Sequence, residues 1–236
     1  MLHLGQAQAP TRTRPASASA THAGASGPRP SGQIYGTLIN LSGRRRFTSQ
    51  RVVLYAVLAQ QGHDGAMALS RGALATFLEA HDALVKGNGA VPGLFCDELK
   101  DVYLGAPGGE KTIRAFIDLA RRTQDSVDAR SPGAPVLLDE LVASATPLLA
   151  VLNQITLVYE NLATTQASSS RQQLSGVLTD IESIAKHARI VAFNAQVAAA
   201  RAGGAGREFA VVAGELSAIT SKIDELVHQA MRASAA

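Results

Sequence analysis

The sequence predicts an all-α protein, an antiparallel four-helix bundle followed by an antiparallel coiled-coil hairpin of two helices. From residue 34 onwards, apolar residues recur in steps of three and four, which is the period of a helix with one buried face. Short stretches rich in Gly and Pro divide this pattern. Aromatic residues make up only 4% of the chain, with no Trp, so Ala, Leu, Val and Ile must fill the core. Such a core suits closely packed helices better than an aromatic-rich sandwich of sheets.

The first 31 residues predict a disordered tail, because Ala, Pro, Ser, Thr, Gly and Arg follow one another there without periodicity. The tail contains Arg12, Arg14 and Arg29 and no acidic residue, and therefore carries the whole net charge of +3. The folded part has no overall basic field, and no nucleic-acid partner is expected.

The composition also favours a cytoplasmic protein without a membrane span. The sequence starts without the apolar core of a signal peptide, and no run of 18 or more apolar residues follows. A single cysteine, Cys96, cannot form an intramolecular disulfide, which fits a reducing compartment.

Four helices separated by breakers predict the bundle over residues 32–165. The third is interrupted by GAPGG at 105–109, and Pro147 predicts a kink or local break in the fourth. The apolar pattern places the four helices at residues 34–61, 65–85, 94–130 and 136 to about 165.

The last part of the chain, residues 166–236, predicts a helical hairpin with its turn at 202–206. An interior glycine costs a helix roughly 1 kcal/mol relative to Ala, so Gly203, Gly204 and Gly206 indicate a reversal of the chain. The polar segment 163–173 before it is either an exposed continuation of the fourth helix or a loose junction.

Heptad spacing on both arms predicts a coiled-coil seam. The uncovered apolar surface should seek a partner, most simply a second hairpin in a homodimer, and the alternative is that the hairpin folds back on the bundle. The predicted seam residues are Leu174, Val177, Ile181, Ile184, Ala188, Val191, Ala195 and Ala198 before the turn, and Phe209, Val212, Leu216, Ile219, Ile223 and Leu226 after it.

The first helix carries four arginines within about two turns, Arg44, Arg45, Arg46 and Arg51. On a helical wheel, Arg45 and Arg46 continue two apolar stripes, and the other two lie on a more polar side. An unpaired guanidinium facing the bundle or a dimer seam is costly, and a bound anion would relieve that cost. Arg46, Arg45 and Arg51 are therefore candidate ligand-binding residues. The alternative is pairing with an acid on a facing helix, such as Asp97, Glu98, Asp118 or Glu140.

No catalytic constellation is recognisable. The six histidines are scattered, and the sequence contains neither a nucleophile elbow nor a phosphate-binding loop nor metal-ligand spacing. We expect no enzyme activity, no cofactor and no metal site. One function that these features leave open is a non-signalling helical dimerisation scaffold whose weakly basic tail contacts nucleic acid or acidic surfaces.

The run INLSGRRRFTSQRVVLYAVLAQ, residues 39–60, resembles the start of the N-terminal domain of type IV pilus methyl-accepting transducers, which are related to nitrate/nitrite sensors. The resemblance implies a four-helix sensing bundle. It also implies that a helix-one arginine at the position of Arg46 binds a small oxyanion across a dimer, which makes Arg46 the first candidate.

The run IAKHARIVAFNAQVAAARAGGAGREFAVVAGEL, residues 184–216, resembles the signalling hairpin tip of methyl-accepting chemotaxis receptors. The resemblance implies a signal transducer that docks a chemotaxis-type histidine kinase and its adaptor protein. Because no membrane span is predicted, we expect this transducer to be soluble and to sense a cytoplasmic cue. By position, it places Phe193, Asn194 and Arg201 against neighbouring dimers, and Ile190, Arg207 and Val211 against the kinase and adaptor.

The sequence departs from the family pattern at four positions of this tip. Lys186 replaces a usual Phe, Ala198 and Gly204 replace usual Glu residues, and Glu208 replaces a Gly. Two acidic contacts are therefore lost and the local charge is altered.

Overall fold

The computed structural model describes residues 30–235, so the predicted disordered tail lies almost wholly outside the described residues. No strand occurs between residues 30 and 235, and the all-α prediction is confirmed. Six α-helices and one 3-10 turn follow one another within these described residues: α1 Gly32–Gln60, α2 Ala66–Lys86, α3 Asp97–Leu104, α4 Gly109–Asp128, α5 Ala134–Arg201, the turn Gly203–Gly206 and α6 Arg207–Ala235.

Helices α1, α2, α4 and the first half of α5 form the bundle, and the short α3 packs against α4 and α5. The interruption expected at GAPGG separates α3 from α4. Each helix contributes large apolar side chains at helical spacing to one continuous core, which stabilises the bundle by removing them from water. Fully or almost fully buried members are Leu38, Val52, Phe77, Leu84, Leu99, Ile113, Phe116, Leu141, Leu148, Leu152 and Ile155.

Helix α5 runs for 68 residues from the bundle into the hairpin. At 1.5 Å per residue this corresponds to roughly 100 Å. The local break considered at Pro147 is absent, because the helix continues through this exposed residue. The polar segment 163–173 is likewise helical, which decides between the two alternatives in favour of a continuation. One uninterrupted helix therefore joins the bundle to the hairpin.

The hairpin is formed by the second half of α5 and by α6, and alanine is the commonest residue of its inner seam. Small side chains let two helix axes approach closely. The buried residues recur every seventh position: Leu178, Ala185, Ala192 and Ala199 on α5, and Ala213, Thr220 and Val227 on α6. A side chain of Arg189 donates to the carboxylate of Asp224 across this seam.

The prediction that the two arms meet along the large apolar residues of the heptads is wrong. Many of its large residues are more than half exposed and precede a buried seam residue by one position. The arms instead meet along the neighbouring buried stripe, which consists of alanines towards the turn. We call the exposed residues the outer stripe: Val177, Ile184, Val191, Val212, Ile219 and Leu226.

The chain reverses through the turn Gly203–Gly206, and its three glycines differ in their surroundings. Gly203 has φ of +62°, a conformation that favours glycine. A Cβ on Gly206 would lie 2.1 Å from the carbonyl oxygen of Ala199, closer than atoms can approach. Gly204 has open space around its Cα. Two of the three positions therefore require glycine.

Helix α5 contains an 18-residue window with a mean hydropathy of 1.7, long and apolar enough to cross a membrane by these two criteria. Core helices of bundles also reach such values, and 28% of the window is buried inside the structure. The helix supplies Leu148 and Leu152 to the bundle core. The absence of a membrane span stays a prediction.

Candidate functional site

The bundle core encloses a polar cluster around Arg45 of α1, a residue with 0% exposure. One terminal nitrogen of Arg45 lies 3.3 Å from Nδ1 of His81 on α2, and the other donates to Oγ of Ser42 at 3.2 Å. Its guanidinium carbon lies 5.5 Å from the ring centre of Tyr103 on α3. We call this group the Arg45 cluster: Ser42, Arg45, His81, Tyr103, Glu110, Thr156 and Tyr159.

The hydrogen bonds of the cluster have defined directions. Arginine has no acceptor, so Nδ1 of His81 must accept from Arg45, which leaves the ring proton of a neutral imidazole on Nε2. Nε2 lies 3.0 Å from Oε2 of Glu110, although the two atoms are not aligned for a hydrogen bond. The other carboxylate oxygen of Glu110 accepts from Nε of Arg114 at 2.6 Å.

A second branch starts at Ser42, which accepts from Arg45. The hydroxyl of Thr156 lies 2.8 Å from that of Ser42 and donates to the backbone carbonyl of Leu152 at 2.8 Å. Since Thr156 has only one proton to donate, Ser42 must donate to Thr156. This branch therefore ends on backbone and offers no free acceptor to Arg45.

Burial shifts the pKa values of three side chains of the cluster. Desolvation, followed by the charge of Arg45, lowers the pKa of His81 to about 4, against an opposing effect of Glu110. Burial raises the pKa of Tyr103, and burial together with the neighbouring Tyr103 raises the pKa of Tyr159. At neutral pH the imidazole and both phenols are therefore uncharged, and the guanidinium remains as the cation in the core.

Five side-chain atoms of the cluster have no aligned hydrogen-bond partner among the described residues: Nε of Arg45, Nε2 of His81, Oε2 of Glu110 and the hydroxyl oxygens of Tyr103 and Tyr159. Within residues 30–235, no carboxylate forms a salt bridge with Arg45 or Arg46. The predicted pairing with Asp97, Glu98, Asp118 or Glu140 is therefore wrong, because Arg45 packs against His81 and Tyr103 instead.

The other arginines of α1 lie outside this cluster. Arg46 is partly buried and donates to Oδ1 of Asn153 on α5 at 3.2 Å. Arg51 is exposed and lies 5.4 Å from the ring centre of Tyr55. The structure thus separates the three predicted ligand-binding residues, and only Arg45 lies in the core.

The sequence pattern did not indicate that His81, Tyr103 and Tyr159 are neighbours of Arg45. His81 lies on the buried face of α2, in step with Phe77 and Leu84, and this spacing was the available signal. The two tyrosines come from α3 and α5, and no local pattern connects them to α1.

The six predicted partner-binding residues are all exposed around the hairpin tip, which we define as residues 186–211. Ile190, Phe193 and Val211 have 57%, 62% and 63% of their surface exposed, which is unusual for large apolar side chains in a monomer. Asn194, Arg201 and Arg207 are exposed beside them.

The four departures from the family pattern also lie on the surface. Lys186 forms a 2.7 Å salt bridge with Glu182 one turn earlier, and each partner shifts the pKa of the other towards the charged form. Ala198, Gly204 and Glu208 are exposed. These four residues therefore alter the exposed surface of the tip and leave the buried seam between the arms unchanged.

No group of three or more His, Cys, Asp or Glu side chains that could hold a metal ion occurs among residues 30–235. Burial raises the pKa of Cys96 to about 11, so its thiol is protonated at neutral pH. A protonated thiol is a poor nucleophile.

Known proteins resemble the second half of the chain. Residues 142–232 match the signalling domain of methyl-accepting chemotaxis proteins. This signalling-domain segment includes the whole hairpin tip and less than half of the chain. The methyl-accepting chemotaxis protein TlpQ of Pseudomonas aeruginosa is 42% identical over 64 residues, which are 27% of this chain and 9% of that protein.

The chain thus spans only a small part of the relative that it matches. No solved structure matches the chain significantly. The predicted resemblance to a chemotaxis signalling tip is supported by both matches. The resemblance of residues 39–60 to pilus transducers and nitrate/nitrite sensors stays a prediction.

Proposed function

We propose that this protein is a chemoreceptor-like signal transducer whose hairpin tip docks a chemotaxis-type histidine kinase and its adaptor protein. The observation that carries the proposal is the exposure of Ile190, Phe193 and Val211 at the reversal of a segment that matches the signalling domain. Burial of such side chains in a partner would supply the free energy of docking. Arg201 and Arg207 would add polar contacts at the same end.

The outer stripe supports a homodimer as the signalling unit. Its members recur every seventh residue on both arms, which is the arrangement that a second hairpin would cover in a four-helix coiled coil. A two-fold axis would pair each stripe with its copy.

The bundle would provide the input in the cytoplasm. Arg46, Arg45 and Arg51 remain the candidates for a small oxyanion, and the continuous helix α5 gives a direct mechanical link from the bundle to the tip. A scaffold without signalling is less favoured, because a mere dimerisation hairpin would not require exposed apolar residues at its tip.

Co-purification with the chemotaxis kinase and adaptor of the same organism tests the proposal. We expect capture by the full chain and a loss of at least tenfold on Arg207→Glu or Val211→Asp, since each change places an unmatched charge in the contact. The matched controls are Arg171→Glu and Val142→Asp, which alter exposed residues of α5 away from the tip. Failure of a folded hairpin to capture either partner would overturn the docking proposal.

A further inference from the structure

A groove between α4 and α5 opens on the surface of the bundle and reaches its core. Residues between 106 and 119 and between 144 and 148 line it, and its volume is about 560 Å³. Small-molecule sites in proteins have volumes of about 300–1,000 Å³. The floor of the groove includes Phe116 and Leu148, which are 2% and 1% exposed and belong to the bundle core. A small molecule in this groove would therefore rest on core side chains.

Small and rigid residues form much of the wall of this groove. The loop before α4 contributes Ala106, Pro107 and Gly108, α4 contributes Ala115, and α5 contributes Pro147. Gly, Ala and Pro lose no side-chain conformational freedom when a ligand covers them. The groove is therefore largely preformed, as binding sites for small molecules usually are.

The charge of the groove is positive. Among the described residues that line it, Lys111 is the one charged side chain, and it forms no salt bridge with a described carboxylate. The neighbouring Thr112 has a hydroxyl that can donate a hydrogen bond. Ser144 donates to the carbonyl oxygen of Leu141 at 2.7 Å, so it offers the groove an acceptor only. An ammonium and a hydroxyl beside an apolar floor suit a ligand with an anionic head and an apolar body.

We propose that this groove binds a small monocarboxylate with an apolar body, an aromatic or short aliphatic acid. The carboxylate would accept hydrogen bonds from Lys111 and Thr112, and the body would cover Phe116 and Leu148. An inorganic oxyanion would leave the apolar floor in contact with water, and a peptide would place backbone polar groups against it without partners. This inference rests on the proposed role of the bundle as the input unit, and it places the ligand apart from the arginines of α1.

The groove adjoins a weak point of the helix that leads to the tip. Pro147 has no backbone N–H, so the carbonyl of Ala143 four residues earlier lacks its helical donor. Helices bend most readily where such a hydrogen bond is missing. A ligand between α4 and α5 would therefore act on α5 where bending costs least, and α5 continues from there to Arg201.

Isothermal titration of the full chain with sodium benzoate and with sodium hexanoate tests the proposal. We expect saturable heat from at least one of the two acids, with one molecule bound per chain. Benzamide keeps the ring without the charge, and acetate keeps the charge without the apolar body. Each of these two probes should bind at least tenfold more weakly, because each lacks one half of the complementary ligand.

Two variants of the groove have matched controls. Ala115→Phe fills the groove from an exposed position of α4 and should abolish binding, whereas Ala150→Phe, at an exposed position of α5 outside the lining, should bind normally. Lys111→Gln should weaken binding by about two- to fivefold, the effect of one exposed ion pair. Lys86→Gln changes an exposed lysine of α2 and should leave binding unchanged. Far-ultraviolet circular dichroism checks that each variant keeps its helices.

Three results would overturn the proposal. The first is an absence of saturable heat with both acids, or equal affinity for benzoate and benzamide. The second is binding that survives Ala115→Phe or is lost in Arg46→Gln, which would assign the ligand to the arginines of α1. The third is a halved mass of Ala115→Phe in light scattering, which would assign the groove to a contact between two chains. Capture of the kinase and adaptor is measured separately, so failure of this site and failure of tip docking can be distinguished.

Discussion

Two glycines of the hairpin turn should respond differently to the same substitution. Gly206→Ala places a methyl group against the Ala199 carbonyl, whereas Gly204→Ala meets open space. We expect the first change to lower the local stability of the turn by about 1–3 kcal/mol and the second to be neutral or slightly stabilising. Trypsin measures this directly, because Arg201 and Arg207 are exposed on either side of the turn.

Cleavage at these two arginines should be several-fold faster in Gly206→Ala than in the unmodified chain. The Gly204→Ala chain is the matched control and should be cut at the original rate. Equal cleavage of the two variants would show that the close approach at Gly206 does not constrain the turn.

His81 should make the bundle sensitive to acid. Its pKa is lowered from 6.5 to about 4 in the folded state, so folding favours the neutral ring. The stabilisation is therefore present above pH 6.5 and is lost as the pH falls towards 4, with a total effect on the order of 3 kcal/mol. Urea unfolding between pH 7 and pH 4 measures this decrease in the free energy of unfolding.

The variant His81→Gln provides the comparison, since its amide can accept from Arg45 and donate towards Glu110 without titrating. Its free energy of unfolding should fall less steeply over the same pH range. An identical slope in both proteins would assign the acid sensitivity to other groups.

The arginine cluster shows what the sequence could predict at this scale. A helical wheel indicated correctly that Arg45 faces inwards, and α1 alone was sufficient for that inference. The wheel could not distinguish Arg45 from Arg46, because the distinction depends on His81 and Tyr103 from other helices. Contacts between distant elements leave no periodic signal in either segment.

At the scale of the element, the alanine seam should resist enlargement. Ala192 has 0% exposure between α5 and α6, so Ala192→Leu must push the arms apart at a cost of about 1–3 kcal/mol. The exposed Ala198 is the matched control for the same substitution. Hydrogen exchange of the hairpin amides, with bundle amides as the internal reference, measures the change.

Faster exchange on both sides of the seam in Ala192→Leu, and not in Ala198→Leu, is the expected outcome. Unchanged exchange in both variants would mean that the two arms are already held apart, contrary to the close packing in the structure.

The existence of the hairpin was predictable from its heptads, but the residues of its seam were not. Alanine and large apolar stripes run side by side, and hydrophobicity alone favours the large one.

At the scale of the molecule, the outer stripe predicts a dimer. A chain of 24.5 kDa should elute with about twice this mass in light scattering. Val191→Asp and Ile219→Asp place charges within the stripe and should shift the mass to that of a monomer while helicity is preserved. Val136→Asp, at an exposed position in the first turn of α5, should remain dimeric.

Two results would contradict this prediction. The unmodified chain could be a monomer, or both stripe variants could remain dimeric. Either result would mean that the outer stripe serves another contact.

The fold class could be predicted from the composition and the apolar period, because both can be read from the local sequence. The continuity of α5 through Pro147 could not be predicted in this way. Helix propensity alone favours a break at proline, whereas α5 continues through it in the folded bundle.

Docking through the tip is tested most directly by hydrogen–deuterium exchange of the full chain with and without the chemotaxis kinase and adaptor. We expect slower exchange confined to residues 186–211, and none of this protection in Val211→Asp. Unchanged exchange throughout the hairpin, or protection only in the bundle, would contradict the proposed role of this tip.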